Sequence, residues 1–201
     1  MNKIRQRLLE LFKQKSLLIG RFTLQSGLTS NYYFDSKRTT LDPEGAYLCA
    51  KLVLDKIKEL GIKADAIGGL TLGADPIVSA VAAVSFAERK KYRPLPAFIV
   101  RKDAKQHGTQ RYTEGYYGMP GARVVIIDDV CTTGESTMKA IERAEQVGFV
   151  VTAVLCLIDR EQGGAERLKR YNFVPLFTSR ELLADPKIQE ALEQSGDSQG
   201  T

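Results

Sequence analysis

Short apolar runs recur along the chain, and longer segments with helical spacing lie between them. The runs show no regular alternation with polar residues, which is typical of strands buried on both faces of a parallel sheet. They lie at Ala64–Leu70, Pro96–Arg101, Arg123–Val130 and Val150–Ile158. Helices are predicted between them at Pro76–Lys91 and Glu135–Val147, and Gly148 ends the second helix. The pattern therefore predicts an α/β fold with a central, mostly parallel sheet flanked by helices.

The amino-terminal part of the chain has a different pattern. The apolar face of a first helix is marked by Leu8, Leu9, Leu11 and Phe12. The segment Arg21–Thr40 is rich in Thr, Tyr and Phe and contains two turn signals, which predicts a hairpin or a pair of short strands. Pro43 suits the first turn of a further helix, which Gly61 closes. A chain of 201 residues is expected to form one compact domain, residues 1–201.

The segment Lys102–Gly121 breaks the alternation of strands and helices. It is polar, contains four glycines and has no periodicity. A loop of this length is unusual in a compact domain and is more often a functional lid than a plain connection. At the end of the chain, Gly196–Thr201 is predicted to be a disordered tail.

Composition and charge narrow the class of protein. The net charge of +5 suits anionic small molecules or nucleic acid, although scattered lysines on an ordinary soluble protein give the same value. Cys49, Cys131 and Cys156 lie in apolar runs without paired spacing, which predicts reduced thiols and a cytoplasmic protein. Met1–Leu17 is charged throughout, so we interpret it as an amphipathic helix rather than a secretory signal. No apolar run reaches the roughly 18 residues that a membrane span needs.

The strongest chemical signal is an apolar strand that runs into two acids and then into a Thr/Gly/Ser loop before a helix. It reads Val124-Val125-Ile126-Ile127-Asp128-Asp129-Val130-Cys131-Thr132-Thr133-Gly134-Glu135-Ser136-Thr137. Ligands bind at the carboxyl ends of strands in open α/β sheets, and backbone N–H groups and hydroxyls at a helix start suit a phosphate. Adjacent carboxylates suit the free hydroxyls of a ribose. Helix capping by Thr132 or Thr133 explains one polar residue, but not two acids directly after four apolar ones.

The common nucleotide fingerprints are absent from the sequence. It contains neither G-x-x-x-x-G-K-[ST] nor G-x-G-x-x-G, which disfavours a P-loop NTPase and a dinucleotide-binding dehydrogenase.

A second group of candidate residues is cationic. Arg101, Lys102 and Lys105 open the long loop, and His107, the only histidine, follows them. Arg and Lys donors stabilise the charge that develops on a departing pyrophosphate, and a polar loop can close over a site and exclude water. The alternative interpretation is a solvated run of charges with a solvated histidine.

Two further strand ends carry candidates. The turn Gly68–Pro76 is rich in glycine, and its backbone can cradle pyrophosphate oxygens, although it would be unremarkable as a plain turn. Arg160 follows the last predicted strand, where it can pair with a carboxylate of a ligand. The alternative for Arg160 is a surface ion pair with Asp159 or Glu161.

These motifs together resemble those of one enzyme family. Asp128–Thr137 resembles the phosphoribosyl-pyrophosphate signature of type I phosphoribosyltransferases. Arg101–Gly108 resembles the catalytic loop of orotate phosphoribosyltransferases, and Phe22–Gly27 with Ser30–Asp35 resembles their base-binding hood. The resemblance covers residues from about 20 to 160 with the motifs in family order. It implies a small N-terminal hood of about residues 1–40, completed by part of the segment after residue 160.

The resemblance also implies an activity and a set of roles. Orotate would receive a 5-phosphoribosyl group from 5-phosphoribosyl 1-diphosphate, giving orotidine 5′-monophosphate and pyrophosphate in pyrimidine synthesis. Asp128 and Asp129 would hold the ribose hydroxyls and stabilise the developing ribosyl cation. The leaving pyrophosphate would be served by Arg101, Lys102, Lys105 and His107. The phosphorylated ribose would bind the segment Val130, Cys131, Thr132, Thr133, Gly134, Glu135 and Ser136, as far as Thr137.

The remaining implied contacts concern the base, the metal and the partner. Arg160 with Tyr33 or Phe34 would place the base, and Gln25 lies in the hood. Mg²⁺ would arrive with the diphosphate rather than on a side-chain site of its own. The resemblance implies a homodimer in which the loop of residues 102–120 completes the partner's site. It implies no nucleic-acid or membrane partner.

Two positions depart from the family pattern, and two other functions stay open. Gln25 and Leu72 stand where many relatives carry lysine, so neither adds positive charge, and Arg111 is a candidate for supplying part of it. One alternative function is a phosphoribosyltransferase for another base, such as a purine. The other is a regulatory module that binds nucleic acid through its basic surface, which the intact acidic pair and loop disfavour.

Overall fold

The computed structural model describes residues 3–23, 29–103 and 112–197. A hairpin is formed by β1 (Leu17–Thr23) and β2 (Thr29–Phe34). The central sheet contains β3 (Ala66–Leu70), β4 (Ala97–Val100), β5 (Thr113–Gly115), β6 (Arg123–Cys131), β7 (Val150–Asp159) and β8 (Phe173–Thr178). Its strand order is β5-β4-β3-β6-β7-β8, and every neighbouring pair is parallel except β4 with β5. The mostly parallel α/β sheet predicted from the sequence is confirmed.

Eight α-helices connect or cover these strands in the described part of the chain. They are α1 (Lys3–Leu11), α2 (Lys37–Thr40), α3 (Pro43–Glu59), α4 (Asp75–Ala87), α5 (Glu135–Gln146), α6 (Gly164–Leu168), α7 (Ser179–Leu183) and α8 (Pro186–Asp197). Helix α3 begins where Pro43 predicts it. The Asp42 carboxylate accepts the backbone N–H groups of Glu44 at 3.1 Å and Gly45 at 3.0 Å, so it caps two donors that the helix leaves without partners.

Strand β6 explains why the sequence shows unbroken apolar runs. Val125 and Ile127 pack into a core that also contains residues of α1, α3 and α4. Val124 and Ile126 point to the opposite face and pack into a second core with residues of α5. All four side chains are at most 1% exposed, and each buried side chain of this size contributes roughly 1.5–3 kcal/mol. Because the strand is covered on both faces, it has no polar face, and its sequence shows no alternation of apolar and polar residues.

The structure departs from the predicted elements, and three of the departures concern the hairpin, the long loop and the carboxyl-terminal segment. The hairpin begins at Leu17 rather than after residue 20, because a single π-helical turn (Phe12–Ser16) joins α1 to it without a Gly or Pro signal. Residues 113–115 form β5 inside the segment predicted to be a long loop without regular structure. Helix α8 continues through Asp197, so the predicted disordered tail does not begin at Gly196, and residues 198–201 lie outside the described residues.

The chain after residue 160 returns to the amino-terminal hairpin. Helix α8 packs against both β1 and β2, and Leu182 of α7 joins the core that contains Leu8 and Phe12. The hairpin is therefore fixed beside the carboxyl ends of the sheet strands by segments from both ends of the sequence.

Two global expectations can be compared with the described residues. Cys49, Cys131 and Cys156 are all buried and form no disulfide, as the spacing predicts. Within residues 3–23, 29–103 and 112–197, none of the helices has the length and apolar character required to cross a membrane.

Candidate functional site

The predicted site residues gather at one edge of the central sheet. Thr71 follows β3, Arg101 follows β4, and Arg160 follows β7, while Asp128 and Asp129 lie near the end of β6. These four strands are parallel neighbours, so their carboxyl ends meet. Residues that are up to 89 positions apart in the sequence (71 and 160) therefore face one cleft region.

Asp128 is a buried acid with an unusual protonation equilibrium. Its carboxylate accepts the hydroxyl of Thr137 at 2.5 Å and the backbone N–H of Asp129 at 3.1 Å. Burial, and then the neighbouring charge of Asp129, raise the pKa of Asp128 to about 7. An acid in this state exchanges its proton near neutral pH, so its charge responds to any ligand charge that arrives beside it.

Asp129 is only partly buried, and its charge lies close enough to Asp128 to raise the pKa of that acid. Its carboxylate accepts the hydroxyl of Ser36, which precedes α2. It also lies against the backbone of Gly73, where an added Cβ would collide with Asp129 Oδ1. Asp129 thus lies where the amino-terminal segment and the turn after β3 meet, and the two acids face different partners.

The loop after the acids presents polar groups to solvent. Gly134 adopts φ +76°, which turns the chain into α5, and Thr133, Glu135 and Ser136 are exposed. Among the described residues, the hydroxyls of Thr132, Thr133 and Ser136 have no hydrogen-bond partner. Thr137 differs from them because it is buried and its hydroxyl is bound to Asp128. Free hydroxyls and N–H groups at the start of a helix are the donors that a phosphate requires.

Two predicted members of this loop offer only their backbones. The side chain of Val130 packs against the hydrophobic core, and that of Cys131 is 1% exposed. The Cys131 Sγ atom lies so close to Gly164 that a Cβ added there would collide with it. Binding by Val130 and Cys131 stays a prediction, and it would use their backbone groups rather than their side chains.

Residues 160–164 support the loop from behind, a role that the sequence analysis missed. The backbone N–H of Arg160 donates to the carbonyl of Cys131 at 2.8 Å, and that of Gly164 donates to the carbonyl of Thr132 at 3.1 Å. Only a glycine leaves room for this approach at position 164. The available signal was the glycine pair 163–164 directly after a strand end.

Arg160 lies beside the hairpin. Its guanidinium carbon is 5.1 Å from the centre of the Tyr32 ring, and its Nε–H is buried without a partner in the described chain. No described ion pair joins it to Asp159 or Glu161, the neighbours that the surface alternative requires. The Glu161 carboxylate is bound by Arg180 instead, at 2.9 Å.

Tyr33 and Phe34 are predicted as alternatives beside Arg160, and of the two it is Phe34 that lines a cavity with it. Tyr33 is 40% exposed, and its ring centre lies 5.6 Å from that of Phe22. The Phe34 ring lines the same small cavity as Arg160 but is buried against Phe12. Tyr32, which the sequence analysis did not select, is the ring that contacts Arg160.

Arg101 and Lys102 begin the long loop, and an unpredicted arginine holds them. The buried guanidinium of Arg143 on α5 donates to the backbone carbonyl of Arg101, and to that of Lys102 at 2.5 Å. It also lies 4.3 Å from the centre of the Tyr112 ring, on the far side of the loop. The predicted site residues Lys105, His107 and Gln25, and also Arg111, lie outside the described residues.

The turn after β3 and the start of the long loop border a cavity at the carboxyl ends of the strands. A cavity of about 440 Å³ is lined by Thr71, Asp75, Ile99, Arg101, Lys102, Asp103 and Glu114. The Thr71 hydroxyl donates to Asp75 at 2.6 Å, and the peptide bond between Thr71 and Leu72 is cis. Leu72 is 71% exposed and has no polar side-chain atom, so this turn can bind an anion only through its backbone.

The described residues provide no metal cage. Among them, no group of three or more His, Cys, Asp or Glu side chains is close enough to hold an ion. Mg²⁺ commonly keeps several waters and binds through one or two carboxylates plus the phosphates of a substrate. Asp75 and Asp129 are two partly exposed carboxylates at this turn, which fits a metal bound mainly by the phosphates of a substrate.

Comparisons with known proteins agree with this geometry. The family model described as "Phosphoribosyl transferase domain" matches residues 39–189. An orotate phosphoribosyltransferase of Nostoc sp. is 47% identical over 163 residues, covering 81% of this chain and 76% of that protein.

Two solved structures of Mycobacterium tuberculosis H37Rv orotate phosphoribosyltransferase also match, and each covers 89% of this chain and 98% of the solved one. The complex with Fe(III) dicitrate has a TM-score of 0.77 and 35% identity. The complex with 5-phospho-alpha-D-ribosyl 1-diphosphate has a TM-score of 0.72 and 31% identity.

Proposed function

This chain belongs to the phosphoribosyl transferase family, and from this premise we propose that it is an orotate phosphoribosyltransferase. It transfers the 5-phosphoribosyl group of 5-phosphoribosyl 1-diphosphate to orotate, and it releases pyrophosphate and orotidine 5′-monophosphate for pyrimidine (UMP) synthesis. One observation carries the proposal. At the carboxyl ends of the sheet strands lie an acidic pair, a loop whose hydroxyls have no partner among the described residues, and an arginine whose Nε–H has none there either.

The 5-phosphate binds residues 132–136 at the start of α5. The exposed hydroxyls of Thr133 and Ser136 and the half-buried one of Thr132 supply donors, as do the backbone N–H groups there. The positive end of the helix dipole favours the anion. The Glu135 side chain points to solvent, so its charge need not face the phosphate.

The two acids have different roles at the ribose. Asp129, which is partly exposed beside Gly73 and Ser36, accepts hydrogen bonds from the hydroxyl groups of the sugar. Asp128 lies deeper, and it stabilises positive charge that develops on the ribosyl group as the bond to pyrophosphate breaks. Because its pKa is about 7, Asp128 becomes fully ionised when that positive charge appears.

Pyrophosphate leaves into the cationic part of the site. Arg101 and Lys102 line the cavity beside the turn at Thr71, and Lys105 and His107 follow them in the sequence. These donors stabilise the charge on the leaving oxygens. When bound, a Mg²⁺ ion carried by the diphosphate would neutralise part of the charge on those oxygens.

Orotate is placed by Arg160 and the hairpin. Arg160 is partly exposed, and its buried Nε–H has no partner in the described chain, so its guanidinium can pair with the orotate carboxylate, as arginines do through two parallel hydrogen bonds. Tyr32 fixes the guanidinium from one side.

The protein acts as a cytoplasmic homodimer in this proposal, with the loop of residues 102–120 completing the partner's site. Support comes from large apolar side chains that stay exposed along α2, α3, α4 and the intervening turns: Leu41, Tyr47, Leu72 and Phe86. Covering such side chains is the usual contribution of a subunit interface. Three buried free cysteines suit a reducing compartment.

An orotate-dependent assay of pyrophosphate release tests the function. We expect turnover with orotate and none with hypoxanthine or xanthine. Turnover with a purine alone would replace orotate by another base, and salt-sensitive RNA binding without pyrophosphate release would favour the regulatory alternative.

Asp129→Asn tests the role of the acidic pair. We expect kcat to fall about 10²–10³-fold, because a preorganised charge facing the ribose is lost. Asp55→Asn is the matched control, since Asp55 lies on α3 and binds Lys91 at 2.7 Å, away from the site. Equal activity of the two variants would refute the role.

A further inference from the structure

A separate cavity lies at the opposite end of the central sheet, beside the amino ends of its strands. Its volume is about 650 Å³, within the range of small-molecule sites. It borders the residues at the amino ends of β3, β4 and β6, with Ala64, Leu95 and Arg123 in its lining. Strand β6 has nine residues, so its two ends are separated by roughly 25 Å. This cavity is therefore separate from the phosphoribosyl site, and a ligand bound in it does not depend on the proposed function.

The rim of this cavity is strongly cationic. It contains Lys58, Lys63, Lys91, Arg93 and Arg123. In the described part of the chain, two acids pair with these five cations: Asp55 binds Lys91 at 2.7 Å, and Asp65 binds Arg123 at 3.3 Å and Arg93 at 3.6 Å. The local excess is three positive charges.

Two of the rim lysines are not neutralised by an acid in the described chain. The Lys58 ammonium donates to the backbone carbonyl of Lys91 at 3.4 Å. No described hydrogen bond or ion pair involves the Lys63 ammonium. Uncompensated like charges repel one another, and an anionic ligand removes that repulsion.

The floor of the cavity is apolar. Leu54, Ala64 and Leu95 are buried beneath it, and Ile57 and Ile62 are partly exposed to it. An inorganic anion would contact the rim alone and leave this floor wet. An organic body attached to an anionic tail would cover both parts, because apolar area removed from water contributes about 25 cal/mol per Å².

We propose that this cavity binds a nucleoside triphosphate. The polyphosphate chain lies between Lys58, Lys63 and Arg123, and the nucleoside rests on the floor formed by Ile57 and Ile62. Several adjacent cations match several adjacent phosphates, while the concave apolar floor fits one compact molecule. A nucleic-acid strand would instead also contact the exposed basic residues outside the cavity, such as Lys90.

Isothermal titration with adenosine 5′-triphosphate as the probe tests this assignment. The double variant Lys58→Glu/Lys63→Glu should bind the probe at least about 10-fold more weakly, because two charge-assisted contacts become repulsive. Lys90→Glu carries the same kind of charge change on a neighbouring exposed residue that does not line the cavity, and it should stay within about 3-fold of the parent. Without the probe, all three proteins should have the same basal orotate turnover.

Covalent labelling locates the bound probe. Periodate-oxidised adenosine 5′-triphosphate, fixed with borohydride, should modify Lys58, Lys63 or Lys91, and unmodified probe should protect them. Labelling confined to Lys102 or Lys105 would overturn the proposal, because the probe would then occupy the phosphoribosyl site. Equal weakening by the double variant and by Lys90→Glu, with a steep salt dependence, would also overturn it in favour of a nucleic-acid surface.

Discussion

Replacing Asp128 by asparagine should make the protein more stable at alkaline pH. The folded protein raises the pKa of this carboxyl from 3.8 to about 7, chiefly by burial. Above pH 7 the folded state holds an ionised buried acid, which costs about 4 kcal/mol at 1.36 kcal/mol per pKa unit. Between pH 4 and 7 the folded state binds the extra proton, so this contribution makes the wild type lose stability as the pH rises. Asparagine has no charge and removes the dependence.

The expected difference is thus confined to a pH window. Urea unfolding at pH 8 should give Asp128→Asn a free energy of unfolding higher by up to about 4 kcal/mol, and at pH 4 the gain should be below about 1 kcal/mol. The same variant should lose at least about 10²-fold in kcat, because the negative charge beneath the ribosyl group is gone. Greater stability with lower activity is the usual signature of a strained functional group.

Glu142→Gln is the control for this experiment, since Glu142 is exposed on α5 and does not contribute to the raised pKa of Asp128. We expect a much smaller change of its unfolding free energy at pH 8. The reasoning is refuted if Asp128→Asn is destabilised equally at pH 4 and pH 8, because burial of the charge would then not control its ionisation.

Two further substitutions test the supports of the site. Arg143→Met should lower the unfolding free energy by roughly 2–4 kcal/mol, because it removes two charge-assisted hydrogen bonds to loop carbonyls, and it should also reduce kcat. Urea unfolding and pyrophosphate-release assays measure the two effects. The control is Glu142→Met, on the exposed face of the same helix, which should change neither quantity. Gly164→Ala should raise KM for 5-phosphoribosyl 1-diphosphate several-fold and lower the unfolding free energy by about 1–3 kcal/mol, because the new Cβ would press on the Cys131 sulfur. An unchanged KM would contradict the support role.

The sequence predicts the sheet and one edge of the site because these follow from local patterns. An apolar run such as that of β6 can be recognised as a strand without reference to distant residues. The position of the acids then follows from the end of that strand. Strand β5 escaped prediction because its three residues, Thr113–Gly115, are too few to display a period of two.

Contacts between distant segments could not be predicted from one sequence. Arg143 reaches Arg101 across 42 positions, and Ser36 reaches Asp129 across 93. The aromatic assignment, in contrast, was within reach. Successive strand residues point to opposite faces, so only one of the two alternatives, Tyr33 and Phe34, can face Arg160, and Tyr32 shares the face of Phe34.

Strand β6 also bears on communication within the molecule. It carries Arg123 of the cationic cavity at one end and Asp129 near the other, and its apolar residues are close-packed on both faces. Energetic coupling between two sites requires an element with two alternative arrangements. A strand clamped in this way has a single arrangement, so a ligand at one end should leave the dissociation constant at the other unchanged, and by thermodynamic reciprocity the reverse should also hold.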